Sequence, residues 1–222
     1  MSTATLGLDE TLQKYLLEVS LHEPEACLRL REQTLELPDA NMISSPEQVQ
    51  LLKLLFKMQD ARNGLEIGTF TGYTSLRLTM AMPKLKMTCC DVSEEFTRIA
   101  REHWQAAKVQ DRIDLQIAPA QKTLDRLVDE GFEGAYDFAY IDADKTGYRG
   151  YVESCLALVR PGGLITLDNV LWSGSVANPE DTSEDTVALR ELNRWIHAQA
   201  PGRYDLSLIP IGDGLTVMRK YN

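Results

Sequence analysis

Two stretches set oxygen donors and an amine where they could do chemistry: Tyr140-Ile-Asp142-Ala-Asp144-Lys145 and Thr166-Leu-Asp168-Asn169. Each ends a short apolar run, Phe138–Ile141 and Leu164–Leu167, of the kind that forms a buried strand. Neighbouring strands ending this way bring Asp142, Asp168 and Asn169 to one rim of a sheet. Three hard oxygen donors, with room for waters and substrate oxygens, suit Mg²⁺ first, with Mn²⁺ or Ca²⁺ as alternatives, and do not suit zinc. Taken singly, Asp142 and Asp144 could cap the loop that follows, and Asp168-Asn169 could make a turn. Their recurrence after successive strands is what favours a metal. Lys145 lies three residues beyond Asp142. A neighbouring dication would favour its neutral amine, which makes it a candidate general base beside Asp142. Its simpler roles are a surface lysine or an ion pair with Asp144.

A second block reads Leu65-Glu66-Ile-Gly68-Thr69-Phe-Thr-Gly72-Tyr-Thr74. Gly68 and Gly72 permit a tight turn and close approach of backbone to a ligand. The next apolar run, Met87–Cys90, ends at Asp91, an acid placed to accept both hydroxyls of an adenosine ribose. A nicotinamide oxidoreductase would use G-x-G-x-x-G, with a pyrophosphate at the helix N-terminus. Here the spacing is E-x-G-x-x-x-G, and Glu66 would repel a pyrophosphate. A cationic ligand tolerates that acid, and S-adenosylmethionine carries both a sulfonium and an ammonium. The plainer alternative is a glycine turn flanked by two solvated acids.

These residues need a framework to hold them. Apolar residues at helical spacing occupy 9–20 (Leu12, Tyr15, Leu16, Val19) and 24–36 (Ala26, Leu28, Leu30, Leu35). A third helix opens at Ser45-Pro46-Glu47-Gln48, which reads as a capping box with proline in the first turn. From residue 64 apolar runs alternate with helical segments near 73–82, 94–108, 121–130 and 148–159. That alternation predicts βαβ units and a parallel sheet covered on both faces. A helix containing Leu189, Leu192, Trp195 and Ile196 follows, then Tyr204–Ile211, a Gly212-Asp-Gly214 turn and Leu215–Arg219, which read as a hairpin. The expected architecture is α/β: a doubly wound, mostly parallel sheet with an antiparallel C-terminal hairpin and an N-terminal helical extension. Residues 1–222 form one domain in this reading, with helices over 1–60 and the α/β core over 61–222.

The chain has 222 residues and a formal net charge of −10, which argues against nucleic acid and anionic membranes as partners. Cys27, Cys89, Cys90 and Cys155 show no metal-ligand spacing and read as buried thiols in a reducing compartment. No basic-then-apolar leader opens residues 1–10, and no apolar stretch is long enough to span a membrane. A cytoplasmic protein is expected. His22, His103 and His197 are scattered and are expected on the surface. Tyr148, Trp172 and Trp195 are candidate aromatic walls, although helix packing explains Trp195 better, and Tyr148 and Tyr151 could instead anchor the start of a helix.

The ordered set of motifs resembles the cation-dependent O-methyltransferases typified by caffeoyl-CoA and catechol O-methyltransferases. It comprises Asn41-Met-Ile-Ser-Ser45, Glu66–Thr74, Asp91, Ile141-Asp-Ala-Asp-Lys145, Asp168-Asn-Val-Leu-Trp172 and Ile211-Gly-Asp-Gly214, and spans essentially the whole chain. The resemblance implies a class I, Rossmann-like S-adenosylmethionine-dependent methyltransferase that acts on a small phenolic or catechol-like substrate as a homodimer. It implies that Asp142, Asp168 and Asn169 bind the metal. It implies a cofactor pocket lined by Ser44, Glu66, Gly68, Thr69, Thr74, Asp91, Ala120, Asp142 and Asp144. The stretch Ser173–Asp185 is short and acidic, and the family's N-terminal substrate lysine has no clear match, so a coenzyme A thioester is disfavoured. A protein that binds S-adenosylmethionine without catalysis would leave the Asp142/Lys145/Asp168/Asn169 set unexplained.

Overall fold

The computed structural model describes residues 6–221. Helices α1 (Glu10–Ser20), α2 (Glu25–Leu35) and α3 (Pro46–Met58) come first. Strands and helices then alternate: β1 (Asn63–Ile67), α4 (Tyr73–Ala81), β2 (Lys86–Asp91), α5 (Glu94–Ala106), β3 (Ile113–Ile117), α6 (Ala120–Asp129), β4 (Tyr136–Ile141), α7 (Tyr148–Leu158) and β5 (Val159–Leu167). Helix α8 (Glu184–Gln199) leads into the hairpin of β6 (Tyr204–Ile209) and β7 (Leu215–Lys220). The sheet order is β3-β2-β1-β4-β5-β7-β6. The first five strands in that order are parallel, and β7 runs antiparallel to both β5 and β6. Strand order reverses between β1 and β4, and ligands of such sheets sit beyond the strand ends at that point. Among the described residues no helix is long and apolar enough to cross a membrane.

Because alternate residues of a strand face opposite ways, the strands feed two cores. Leu65, Ile67, Ala139, Ile141 and Leu167 pack beneath α6, α7 and α8. Cys89, Phe138 and Tyr140 pack beneath α3 and α4. Phe56 of α3 stacks on Phe138, with ring centroids 3.7 Å apart and planes 8° from parallel. A buried arginine also ties the N-terminal helices down. Arg77 of α4 donates to the Pro46 carbonyl (3.0 Å), Gln50 Oε1 (3.0 Å), the His22 carbonyl (3.2 Å) and the Tyr73 hydroxyl (2.8 Å). The helix that follows the glycine turn is thereby joined to the segment that opens α3. All four cysteines are buried and free, as expected.

Two local expectations are overturned. The Ser45/Gln48 capping box does not form: Ser45 makes no side-chain cap bond, and the Gln48 amide donates to Asp168 Oδ2 at 2.6 Å instead. The capping bond would have used Gln48 Oε1 as acceptor of the Ser45 N–H; the amide is instead held by its Nε2 on a carboxylate, the stronger kind of bond. Strand β5 starts at Val159, well before Leu164. Val159 pairs with Tyr136, and the pairing resumes at Phe138↔Leu164 after a bulge, so Pro161-Gly162-Gly163 is an excursion within the strand. Asp137 sits opposite that bulge and accepts from Arg160 Nε at 2.6 Å.

The aromatic stack predicts the cost of loosening α3. Phe56→Ala should destabilise the protein by about 3–5 kcal/mol, read from urea unfolding midpoints. A loss below about 1 kcal/mol would mean that α3 is not packed on the sheet through this ring.

Candidate functional site

A cleft of about 1260 Å³ opens over the carboxyl ends of β1, β2, β4 and β5. Its floor holds Glu66, Gly68, Thr69, Asp91, Asp142 and Asp168, and residues 41–45 before α3 form one wall. Opposite them stand Trp172, Ser173 and Ser175 from the turn after β5.

The end of β4 lies beside the end of β5, so Asp142 and Asp168 come together in a half-dry rim. Asp168 is 3% exposed. Burial, and then the Asp142 charge, push its carboxyl well above the usual aspartate range. Donors hold both acids in place. Thr74 Oγ1 donates to Ser44 Oγ (3.3 Å), Ser44 lies 2.9 Å from the Tyr140 hydroxyl, and Tyr140 donates to Asp168 Oδ2 (2.6 Å). Along this chain Ser44 and Tyr140 each take one proton and give one, which strengthens the links. Asp142 Oδ2 lies 3.3 Å from Ser44 Oγ and 3.4 Å from the Tyr140 oxygen. Lys145, 8% exposed, supplies the positive charge. Its Nζ donates to the Tyr148 hydroxyl (2.7 Å), Asn169 Oδ1 (2.8 Å) and Asp142 Oδ1 (3.4 Å).

This donor set fits a divalent cation. Each carboxylate or amide oxygen offers two lone pairs, and Asp142 Oδ1, Asn169 Oδ1 and Asp168 Oδ1 each accept a single hydrogen bond. A cation, the Lys145 ammonium, already holds two of the three oxygens. Among the described residues no group of three His, Cys, Asp or Glu side chains could hold a metal, so the set depends on the Asn169 amide. Asn169 carries it from a left-handed backbone (φ +56°), which asparagine tolerates better than most residues.

On the other side of the cleft, Gly68 is obligatory. Its φ is +88°, and a Cβ there would stand 1.8 Å from the Asp142 carbonyl oxygen. Asp91 Oδ2 accepts the backbone N–H groups of Thr69 (2.9 Å) and Phe70 (2.7 Å), which fixes the glycine turn against the end of β2. Glu66 is fully buried, and burial pushes its carboxyl up to about 7; the Cys89, Ser75 and Thr69 side chains pull it back, and the Asp91 charge adds to the rise. Its Oε2 finds no partner among the described residues. A buried open acceptor beside a ligand cleft suits a cofactor that brings its own positive charge or N–H donors.

The cleft lining includes the expected cofactor, metal and base candidates: Ser44, Glu66, Gly68, Thr69, Thr74, Asp91, Ala120, Asp142, Asp144, Lys145, Asp168 and Asn169. Asp144 caps the turn after β4 by accepting from the Gly147 N–H (3.0 Å) and the Tyr151 hydroxyl (2.6 Å). Lys145 therefore pairs with Asp142 and not with Asp144. Tyr148 is not a wall. It is buried beneath Lys145, and its hydroxyl donates to the Asp168 carbonyl at 3.1 Å. Trp195 lies outside the cleft, with Arg149 over its ring at 5.0 Å. His22 and His197 are exposed; His103 is half-buried, with Nε2 2.8 Å from Gln33 Oε1. Sequence reasoning missed Tyr140 and Gln48. Tyr140 was within reach, because a residue two before Asp142 on one strand shares its face. Nothing local marks Gln48.

Comparison with known proteins converges on one family. The family model described as O-methyltransferase matches residues 17–221. A probable caffeoyl-CoA O-methyltransferase 2 from Dictyostelium discoideum is 45% identical over 183 residues, covering 82% of this chain and 78% of that protein. Catechol O-methyltransferase domain-containing protein 1 from Mus musculus is 39% identical over 213 residues, covering 96% of this chain and 80% of that protein. The SAH-bound methyltransferase PaMTH1 of Podospora anserina superposes with a TM-score of 0.87 at 26% identity, covering all of both chains.

Glu66 makes ligand-free stability depend on pH. Its folded pKa, about 7, lies above the ordinary 4.5. The folded state then holds a proton that the unfolded chain has lost, and stability falls as pH rises from about 4.5 to about 7. Without cofactor, Glu66→Gln should match wild type near pH 4.5 and exceed it by on the order of 3 kcal/mol above pH 7, by chemical denaturation. Equal stability of the two proteins at pH 8 would show that this carboxyl carries no such penalty.

Proposed function

The chain belongs to the O-methyltransferase family and is an S-adenosylmethionine-dependent enzyme, and we propose that it methylates a hydroxyl of a small catechol-like or phenolic acceptor with the help of a divalent cation, Mg²⁺ first. The carrying observation is the donor set of Asp142, Asp168 and Asn169 with Lys145 inside it, at the rim of the cleft that also holds Glu66 and Asp91. The same reading includes a cytoplasmic homodimer.

When bound, the cofactor supplies an electrophilic methyl group, and the cation supplies Lewis acidity while competing with the Lys145 ammonium for Asp142 and Asn169. Asp91 and Glu66 hold the cofactor, Asp91 by accepting from its ribose. A phenol of pKa about 10 costs roughly 4 kcal/mol to ionise at neutral pH. Lys145, as the free amine, takes that proton on Nζ as the acceptor oxygen takes the methyl. The charge that results is met by the Tyr148 hydroxyl, a partner outside the metal set that Nζ already has at 2.7 Å. Trp172 and residues 41–43 line the cleft. Among the described lining residues Lys145 is the one basic side chain, while Asp144, Asp185 and Asp213 add negative charge. Apart from Lys145, which the reaction uses, the described lining offers the phosphates of a coenzyme A thioester no basic side chain, which favours a free small acceptor.

Metal ligand and base leave different kinetic marks. Asp168→Ala should raise the Mg²⁺ concentration needed for half-maximal rate, with partial recovery at high Mg²⁺. Lys145→Ala removes the ammonium that competes for Asp142 and Asn169, so it should lower that concentration and not raise it, while kcat falls by about 10²–10⁴-fold, with partial rescue at higher pH. Wild-type kcat in Lys145→Ala at neutral pH would remove the base role.

A further inference from the structure

We propose that Gln48 is a positioning residue for Asp168, holding its carboxylate so that one chosen oxygen stays open to a cation; this rests on the metal-assisted reading above. Gln48 lies in the first turn of α3 and is 1% exposed. Its Nε2 donates to Asp168 Oδ2 at 2.6 Å, across 120 residues of sequence. The Tyr140 hydroxyl donates to that same oxygen, also at 2.6 Å. Two donors fill the two lone pairs of Oδ2. Oδ1 accepts only the backbone N–H of Asn169, at 2.6 Å, and keeps one lone pair. Rotating the carboxylate to exchange its oxygens would break both strong bonds at once, so Gln48 and Tyr140 decide which oxygen remains free.

The amide has one workable orientation. Turned over, Oε1 would face a carboxylate and be repelled. In the orientation observed, Oε1 is buried with no partner among the described residues. It lies against Gly212, where an added Cβ would stand 2.8 Å from it. The capping bond that Gln48 could have given the start of α3 is also absent. Two local penalties are therefore borne for one bond. An apolar side chain here, continuous with Leu52 and Phe56 on the same helix, would remove the orphaned Oε1, so the packing of α3 does not itself call for an amide. The bond makes sense as orientation of Asp168. It also makes the cation site depend on the docking of an N-terminal helix.

The test uses the full chain without cofactor or acceptor, with Mn²⁺ alone as probe and free Mn²⁺ read by electron paramagnetic resonance. Gln48→Met keeps the volume and loses the donor; Gln48→Asn keeps an amide too short to reach. Both should raise the Kd for Mn²⁺ by about 10- to 100-fold, as loss of a residue that orients a metal ligand does. In EDTA, the Tm of Gln48→Met should stay close to that of wild type, because the orphaned Oε1 is lost together with the bond to Asp168. Mn²⁺ affinity within about twofold of wild type in both variants would overturn the proposal. So would a loss of affinity that appears only where Tm in EDTA has fallen, since that is a structural role. Wild type that binds no Mn²⁺ would instead overturn the metal reading beneath it.

Discussion

Two carboxylates forced together in a half-dry rim are the constraint around which the molecule is arranged. Like charges 4 Å apart repel by about 4 kcal/mol at the effective dielectric near a protein surface. Asp142 and Asp168 cannot avoid each other, because β4 and β5 are hydrogen-bonded neighbours and both residues follow directly on the last paired positions, Ile141↔Leu167. The rest of the site is compensation. Lys145 brings a full positive charge within 3.4 Å of Asp142, and Tyr140, Gln48 and the Asn169 N–H bring donors to Asp168. A dication would complete the neutralisation that a single ammonium leaves unfinished. The repulsion between the two acids is also what would favour such an ion.

The compensation comes from distant parts of the chain, and this gives the N-terminal helices a role beyond covering the sheet. Ser44 and Gln48 reach the rim only because α3 is seated by Phe56 on Phe138 and its first carbonyl is held by Arg77. Arg77 belongs to α4, the helix that leaves the glycine turn. Thr74, near the start of that helix, heads the hydroxyl chain that ends on Asp168. Cofactor side and acid side therefore share one hydrogen-bonded frame. A shift at the glycine turn has a direct mechanical route to the carboxylates.

Much of this was legible in the sequence where a local pattern has one physical cause. Short apolar runs ending in Asp91, Asp142 and Asp168 marked strand ends. Gly68 marked a tight turn and approach to a ligand, and the structure adds that the Asp142 carbonyl leaves no room for a side chain there. Legibility failed where a tertiary charge outbid a local bond. Ser45-Pro-Glu-Gln48 has the composition of a capping box, yet its glutamine is taken by an aspartate 120 residues away. Tyr148 looked like an aromatic wall because sequence shows an aromatic ring and not the lysine its hydroxyl supports. In the sequence the apolar run starts at Leu164, whereas in the fold Val159 has already paired with Tyr136. Each miss concerns a partner that only the folded chain brings near.

The central claim is that this rim works by exchanging an ammonium for a dication at shared oxygens. Turnover of a vicinal aromatic diol, after exhaustive EDTA treatment and then stepwise return of Mg²⁺, tests it most directly. The expected result is negligible methyl transfer in EDTA and recovery that saturates with Mg²⁺. Full turnover in EDTA would contradict it, leaving Asp142 and Asp168 as acids held by hydrogen bonds alone.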